Sequence, residues 1–447
     1  MRAEIDIEAL APGGEGVGRL GGRTVFLPFA APGDRVVAEV PAGEGVAHAS
    51  LLEVIAPGAS RVAAPCRHFG VCGGCEWLHL AYPVQLEAKE RRVAAVLERI
   101  ARLPRDGYDL RPIVPSPAPL RYRARAKFHQ DRASGRLAFF RRRSHEPIPI
   151  DACHLLAPPL DALRAAVGPA LAAAHWPARE VALEWSEAEG RGAALLRVGE
   201  VTAALKARAE ALLSAVPGLS GAVLEGEGGA SALVGDPVLR LWRDPGAQEA
   251  GWQRSRPDVF QQANRGANAL LTRVALELLA PAGEDVLELF CGAGNFTGPL
   301  AERARSVAAV EVQGPALELA RADRAEAGGR GAVRFFAGDA LALVRAFARE
   351  RGPAARRFGA VLLDPPRDGV RGIGPALRDL GVPRAVYVSC DPATLARDVR
   401  DCLEAGFGVT AVVPVDMFPQ THHVEVVVAL ERHGQAGAPE PGVRHRP

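Results

Sequence analysis

Cys390 stands where a side chain can do covalent chemistry. It follows the apolar run Ala385-Val386-Tyr387-Val388 and precedes Asp391-Pro392, a spacing that predicts a strand running into a Pro turn. In an open α/β sheet, ligands bind beyond the carboxyl ends of the strands. A thiol at such an end is aimed at a substrate rather than packed in a core, so Cys390 is a candidate nucleophile. A nucleophile that must later be expelled needs a base nearby. Glu425, in Gln420-Thr-His-His-Val-Glu425, is the nearest candidate in sequence, 35 residues on and just inside the last strand pair. The competing role for it is a surface carboxylate on an edge strand.

Upstream, Val286-Leu-Glu-Leu-Phe-Cys-Gly-Ala-Gly-Asn-Phe-Thr297 reads as a strand, a Gly-x-Gly turn and the start of a helix, which is a nucleotide-cofactor pattern. A dinucleotide fingerprint requires a third small residue where Thr297 stands, and a pyrophosphate at the helix N-terminus. Two glycines preceded by Glu288 fit a cationic cofactor better, and S-adenosylmethionine carries a sulfonium; an NAD enzyme is the alternative. Glu311 closes the next strand, 17 residues past Gly294, where its carboxylate can accept from both ribose hydroxyls. Asp339 closes the third strand at the adenine end. The fourth ends in Leu363-Asp364-Pro365-Pro366-Arg367. Similar turns present a target nitrogen in amino-group methyltransferases, but a cysteine at the next strand end favours chemistry at carbon. Uracil C5 is too weak a nucleophile to take a methyl group directly. A thiolate adding at C6 makes an enolate that can, and a base then removes the C5 proton so that the thiolate leaves. Cys291, inside the cofactor turn, and Cys402, on a helix, read as structural.

Cys66, Cys72 and Cys75, in Cys-Arg-His-Phe-Gly-Val-Cys-Gly-Gly-Cys, form a metal-binding pattern, since Gly73 and Gly74 let the backbone wrap closely. The fourth ligand is expected from Cys153, in Ile150-Asp-Ala-Cys-His, the other cysteine outside the C-terminal region. Four thiolates suit zinc or an iron–sulfur cluster. A tight triplet with a distant fourth looks more like a [4Fe–4S] set than like paired zinc knuckles.

Positioning these groups requires several domains. In 447 residues, residues 1–58 alternate short β runs with Gly-rich turns, as in a small barrel of the oligonucleotide-binding kind. Residues 59–255 hold the cysteine loop, an amphipathic helix at about 82–101, then basic strands mixed with Ala/Leu-rich helices: a central α+β, iron–sulfur and RNA-binding region. Residues 256–433 alternate apolar strands with helical patterns, which implies a Rossmann-like, mostly parallel doubly wound sheet, and so an α/β fold. Residues 434–447 read as a disordered tail. The formal charge is only +2, yet Leu120–His145 carries nine basic residues against one acidic. Tyr122, Phe128, Phe139 and Phe140 interleave with them, a combination suited to phosphates and unpaired bases. No apolar run reaches the ~18 residues of a membrane span. Without a signal-peptide start, a cytoplasmic location with reduced cysteines is expected.

Taken together, the motifs resemble the RNA uracil-5-methyltransferase family over nearly the whole chain. Residues 285–297, 364–369, 388–398 and 416–427 look like its cofactor, substrate-loop, nucleophile and base motifs. The resemblance implies that Cys390 is the nucleophile and Glu425 the base. It implies that Gln262, in Phe260-Gln-Gln-Ala-Asn264, lines the cofactor and substrate pocket with Phe290, Asn295, Glu311, Asp339 and Asp364. The N-terminal barrel resembles a TRAM domain. With Cys66, Cys72, Cys75 and Cys153, it points to the ribosomal-RNA branch, which carries a [4Fe–4S] cluster. Asp391 departs from the Asn common after the nucleophile, and Arg321-Ala-Asp-Arg-Ala-Glu lacks the usual Asn residues. The expectation is an S-adenosylmethionine-dependent, monomeric enzyme making 5-methyluridine in a loop of 23S rRNA. Its rivals are a transfer-RNA enzyme and a non-catalytic iron–sulfur module that binds RNA or senses redox state.

Overall fold

The computed structural model describes residues 1–433 apart from 132, 177, 328–330, 351 and 353–354. The expected disordered tail, 434–447, lies outside the described residues. Near the N-terminus, strands Arg2–Leu10, Gly16–Leu20, Arg23–Leu27, Arg35–Glu39, Ala47–His48 and Ser50–Ala56 form one sheet. A register shift between Ile7 and Ala9 lets the first strand pair with the second on one side and the fourth on the other. Such a bulge bends a strand and raises its twist. The sheet wraps Ile5, Ile7, Val25, Leu27, Val36 and Ala38 into a small core. The second strand, Gly16-Val-Gly-Arg-Leu20, lacks a strand signature. It pairs here because a Cβ at Gly18 would stand 2.4 Å from Ile5, so only glycine permits this approach.

The central domain has a seven-stranded sheet in the order Pro147–Pro149, Arg136–Phe140, Arg125–Asp131, Glu180–Ser186, Arg191–Val198, Leu219–Gly226 and Ser231–Gly235. Helices Pro158–Ala173 and Ala203–Ala215 cover it, burying Phe128, Leu137, Leu160, Val167 and Leu196. Two aromatics of the basic segment are therefore committed elsewhere: Phe128 is core and Tyr122 is buried. The charge count also overstates the free cation. Arg125, Lys127, Arg136, Arg141 and Arg143 pair with Glu184, Glu180, Asp151, Glu146 and Glu15.

The C-terminal sheet runs Ala332–Ala337, Ser306–Glu311, Asp285–Leu289, Ala360–Leu363, Arg384–Ser389, Glu425–Arg432, Phe407–Val415. The first five strands are parallel, and Glu425–Arg432 is inserted antiparallel to both its neighbours. Runs such as Ala360-Val-Leu-Leu363 are apolar throughout because helices cover both faces. Segment 82–114, grouped with the central region on sequence, packs here. Helix Tyr82–Val96 and the turn after it send Val93, Leu97 and Tyr108 into one core with Leu363, Tyr387 and Val428. Asp109–Leu110 then adds an edge strand parallel to Phe407–Val415. Helical periodicity identifies an apolar face but not which surface will cover it.

Trp77 docks the barrel onto the cysteine loop. It is 1% exposed, and its indole Nε1–H donates to the carbonyl of Gly14 at 3.0 Å. Trp77→Ala should lower stability by about 3–5 kcal/mol, and the barrel should become the first site of limited proteolysis. Unchanged urea unfolding together with unchanged proteolysis would mean that the barrel is not held there.

Candidate active site

The antiparallel insertion brings the two proposed catalytic groups together. Strand Arg384–Ser389 pairs with Glu425–Arg432 in a register that sets Ser389 against Val426. Cys390 directly follows the first of these strands and Glu425 opens the second, close enough for the carboxyl to act on the thiol. Burial first, then the Glu425 carboxyl, push the Cys390 thiol up to about 11. Glu425 is 2% exposed, and desolvation followed by the charge of Asp364 raises it well above the carboxylate range. Its Oε2 has no hydrogen-bond partner among the described residues.

Arg367 opposes both shifts. Its positive charge favours the charged forms of Cys390 and Glu425. Sequence reading passed over this residue, although a cation directly after an Asp-Pro-Pro turn was the available signal. On the other side of the cysteine, Asp391 accepts the amides of Ala393 and Thr394 at 2.9 Å, capping helix Pro392–Glu404. Its carboxylate thus does the capping work that an Asn side chain could also do.

The cofactor end is rich in carboxyl groups. Glu311 accepts the amide of Gly292 at 3.0 Å through one oxygen and those of Val312 and Gln313 at 2.8 Å through the other. It thereby anchors the Gly-x-Gly turn to the neighbouring strand, and lone pairs remain for a ligand. Glu288 is fully buried, accepts from Thr297 Oγ1 at 2.6 Å, and is held up to about 8 by desolvation. Desolvation raises Asp364 to about 7. A cation placed among these groups would restore their charged forms. Phe290 leaves the first strand with φ 62°, a left-handed conformation rare for an aromatic residue and common at binding turns. Asn295 is locked to Asn268 by reciprocal amide bonds of 2.8 and 3.1 Å. Asp339 is exposed and caps helix Ala340–Arg349 through the Ala342 amide. Gln262 is half-buried between Gln261, whose Oε1 accepts from Gln253, and Asn264, which caps helix Arg265–Leu279.

Cys66, Cys72, Cys75 and Cys153 line one cavity of about 510 Å³, together with Arg123, Phe260, Gln261 and Arg367. Burial raises the thiols of Cys72, Cys75 and Cys153, and neighbouring cysteines raise Cys72 and Cys75 further. Amides already point at the sulfurs: Gly74 N–H at Cys72, and Leu155 and Leu156 at Cys153. Buried, mutually repelling thiols with N–H donors suit a cationic metal group that binds thiolates. Among the described residues, no three His, Cys, Asp or Glu close around one point as ligands of a single ion. Cys291 and Cys402 are buried, as structural cysteines would be.

Fold and site together have the form of a Rossmann-like enzyme, with a carboxyl-rich cofactor turn beside a strand-end cysteine. Residues 248–433 match the family model described as tRNA (Uracil-5-)-methyltransferase, and residues 2–51 match the TRAM domain. A 23S rRNA (uracil(1939)-C(5))-methyltransferase RlmD of Pseudomonas entomophila is 37% identical over 95% of this chain and 92% of that protein. One from Alkalilimnicola ehrlichii is 36% identical with 97% of each covered. The structure of Pyrococcus abyssi tRNA (uracil-54, C5)-methyltransferase in complex with S-adenosyl-L-homocysteine shares the fold. Its TM-score is 0.71 at 24% identity, over 96% of this chain and 100% of that one. The chain belongs to the S-adenosylmethionine-dependent RNA uracil-5-methyltransferase family.

The raised carboxyls have a stability signature. Glu288 and Asp364 keep protons in the folded chain at pH values where the unfolded chain, at 4.5 and 3.8, has lost them. The folded state therefore binds more protons. Their contribution is complete below pH ~4 and is lost as pH rises through about 7 and 8, by up to ~1.4 kcal/mol per pH unit for each group. Urea midpoints without cofactor should fall from pH 5 to 8.5, and Glu288→Gln should flatten part of that fall. A variant whose midpoints track the parent at every pH would place the titration elsewhere.

Proposed function

We propose that this protein transfers a methyl group from S-adenosylmethionine to C5 of a uridine in 23S ribosomal RNA. The observation that carries the reading is the antiparallel pairing that brings the strand end before Cys390 beside the strand start at Glu425, next to a carboxyl-lined cofactor end. Ribosomal RNA as the substrate is supported by relatives of that name, 36–37% identical across more than nine-tenths of both chains. Cys390, ionised with help from the Arg367 guanidinium, adds to C6 of the uracil. The ring electrons move onto O4, and C5 attacks the methyl carbon, with S-adenosylhomocysteine leaving. Glu425 then takes the C5 proton, the C5–C6 double bond re-forms, and the thiolate is expelled. The cofactor supplies the methyl group on a sulfonium. Glu311 and Asp339 would hold its ribose and adenine ends, Phe290 and Asn295 the turn around it, and Asp364 and Gln262 the side nearest the base.

Cys66, Cys72, Cys75 and Cys153 would hold a [4Fe–4S] cluster. Its part is structural: it ties the 66–75 loop to Cys153 beside the strands Arg125–Asp131 and Arg136–Phe140, which would carry the RNA. A flipped uridine from an unpaired loop fits a thiol that must reach C6, because neither C6 nor C5 is accessible in a stacked helix. The chain acts as a monomer in the cytoplasm, where ribosomal RNA is made. No helix among the described residues is long and apolar enough to cross a membrane.

The mechanism is tested with RNA carrying 5-fluorouridine. Fluorine cannot leave as a proton does, so the parent enzyme should form a stable covalent complex, and Cys390→Ala should form none while binding S-adenosylhomocysteine normally. A complex that survives in Cys390→Ala would remove Cys390 from the role of nucleophile. Separately, protein purified without oxygen should be brown and hold about four iron and four sulfide per chain. Cys72→Ser should lose the iron and weaken RNA binding more than cofactor binding. Stoichiometric zinc without iron would overturn the cluster and leave the methyltransferase untouched.

A further inference from the structure

Glu425 begins its strand directly after the loop 416–424, and the loop closes on the register pair Val415–Glu425. Whatever holds the loop therefore sets how the carboxyl approaches its substrate. The C-terminal sheet does little of this holding. The loop is gripped from outside, mainly by residues that lie more than 290 positions earlier in the chain.

Lys89, on helix Tyr82–Val96, is wholly buried and donates to Asp416 Oδ1 at 2.5 Å and to the Phe418 carbonyl at 2.9 Å. Tyr82, on the first turn of the same helix, donates to Asp416 Oδ2 at 2.8 Å. Gln85, also fully buried, meets Gln420 twice, accepting its amide at 2.9 Å and donating to its side-chain oxygen at 3.0 Å. Gln420 itself has φ 70°, so a non-glycine residue is kept in a left-handed conformation by its partners. The amides of Glu76 and Trp77, adjoining the cysteine loop, both donate to the Gln420 carbonyl at 3.0 Å. Arg92 donates to the carbonyl of His422 at 2.8 Å. From the opposite side, Asn264 donates to the Met417 carbonyl at 3.1 Å. Lys89 and Gln85 are one turn apart and face the same loop, as side chains at i and i+4 do.

We infer that Lys89 and Gln85 are positioning residues for the catalytic base: they hold the loop 416–420 so that Glu425 meets the C5 proton. This rests on the assignment of Glu425 as base. Neither residue touches substrate, so their loss should spare the steps that precede proton removal. Cofactor binding uses the Gly-x-Gly turn of another strand, and the hydrogen bonds that Lys89 and Gln85 make to the C-terminal domain go to the loop 416–420 and not to Cys390. Expulsion of the product depends on where the carboxyl stands, and a displacement of about 1 Å at such a group can cost on the order of 10²-fold in rate.

The test uses the full-length enzyme carrying Gln85→Met, which keeps the side-chain volume and strands no charge. A second variant, Lys89→Met with Asp416→Asn, removes both members of the buried ion pair together and so leaves no lone charge. Three quantities are read: the affinity for S-adenosylhomocysteine, the yield of covalent complex on 5-fluorouridine RNA, and the methylated protein–RNA adduct on ordinary RNA, with Glu425→Gln as reference. The first two should stay within about twofold of the parent, while turnover falls about 10²-fold and the methylated adduct accumulates as it does in Glu425→Gln. Hydrogen exchange should rise in the loop 416–424 and not across the sheet. An adduct in Glu425→Gln with none in either clamp variant overturns the positioning role alone. Equal losses of fluorouridine complex and turnover also overturn it, since that pattern marks general damage. No adduct in Glu425→Gln removes the base assignment beneath it.

Discussion

The cost of taking charge out of water governs the catalytic edge of this protein. Glu288, Asp364, Glu425 and the Cys390 thiol stand within electrostatic reach of one another at neighbouring strand ends, and each is driven toward its neutral form by burial before any other influence. Groups of this kind are expensive unless something positive joins them. The chain supplies one cation near the thiol, Arg367, and another at the cofactor turn, where Arg243 donates to the Gly294 carbonyl and opposes the rise of Glu288. Carboxyl groups still outnumber cations around the turn, which favours a ligand that brings its own positive charge. The choice of S-adenosylmethionine over NAD, made on two glycines and an acidic residue, agrees with the family to which the chain belongs. Perturbed groups cluster at functional sites because the arrangement that makes them reactive is costly to maintain.

Maintaining it falls to parts of the chain far from the motifs. A doubly wound domain of the C-terminal kind could bury its own parallel strands, but the antiparallel pair Glu425–Arg432 and Phe407–Val415 leaves an apolar surface near the sheet's end. Helix Tyr82–Val96 covers it, and its polar positions, Gln85 and Lys89, turn inward to satisfy the loop that the pair creates. The buried ion pair alone contributes little net stability, because desolvation offsets most of the attraction. Its consequence is geometric: a lysine with no solvent exposure holds Asp416 and Phe418 in fixed relation. Trp77 extends this chain of contacts to the barrel through Gly14.

Much of this was legible in the chain of letters. The seven C-terminal strands stand within a residue or two of where apolar runs and Gly/Pro punctuation put them, because buried parallel strands are written as continuous hydrophobic stretches. Cys390, Glu288, Glu311 and Asp364 sit at strand ends for the same reason. What was not legible depends on pairing. Nothing in Gly16-Val-Gly-Arg-Leu20 announces a strand, since its glycines matter only once Ile5 lies against them. Helix 82–96 was recognisable, but its partner was not, and neither were the roles of Lys89 and Arg367, each of which depends on a residue in another segment. The basic stretch 120–145 was misjudged in degree: alternating residues of a half-buried strand point inward, so Phe128 became core, and several arginines found carboxylates that the linear count could not see.

One cavity explains why the cysteine loop and the catalytic domain belong to a single chain. Its wall is made by the four cysteines on one side and by Phe260, Gln261 and Arg367 on the other. Arg367 thus lines the cavity while its charge opposes the upward shift of the Cys390 thiol. Phe260 is 70% exposed, an unusual state for an aromatic side chain without a ligand, and it sits two residues before Gln262. An exposed aromatic ring and a guanidinium therefore line the same cavity as the four cysteines. The cysteine loop is both a wall of this cavity and an anchor, since Glu76 and Trp77, adjoining it, donate their amides to the Gln420 carbonyl. Neither part requires electron transfer, and both require that the loop keep its shape.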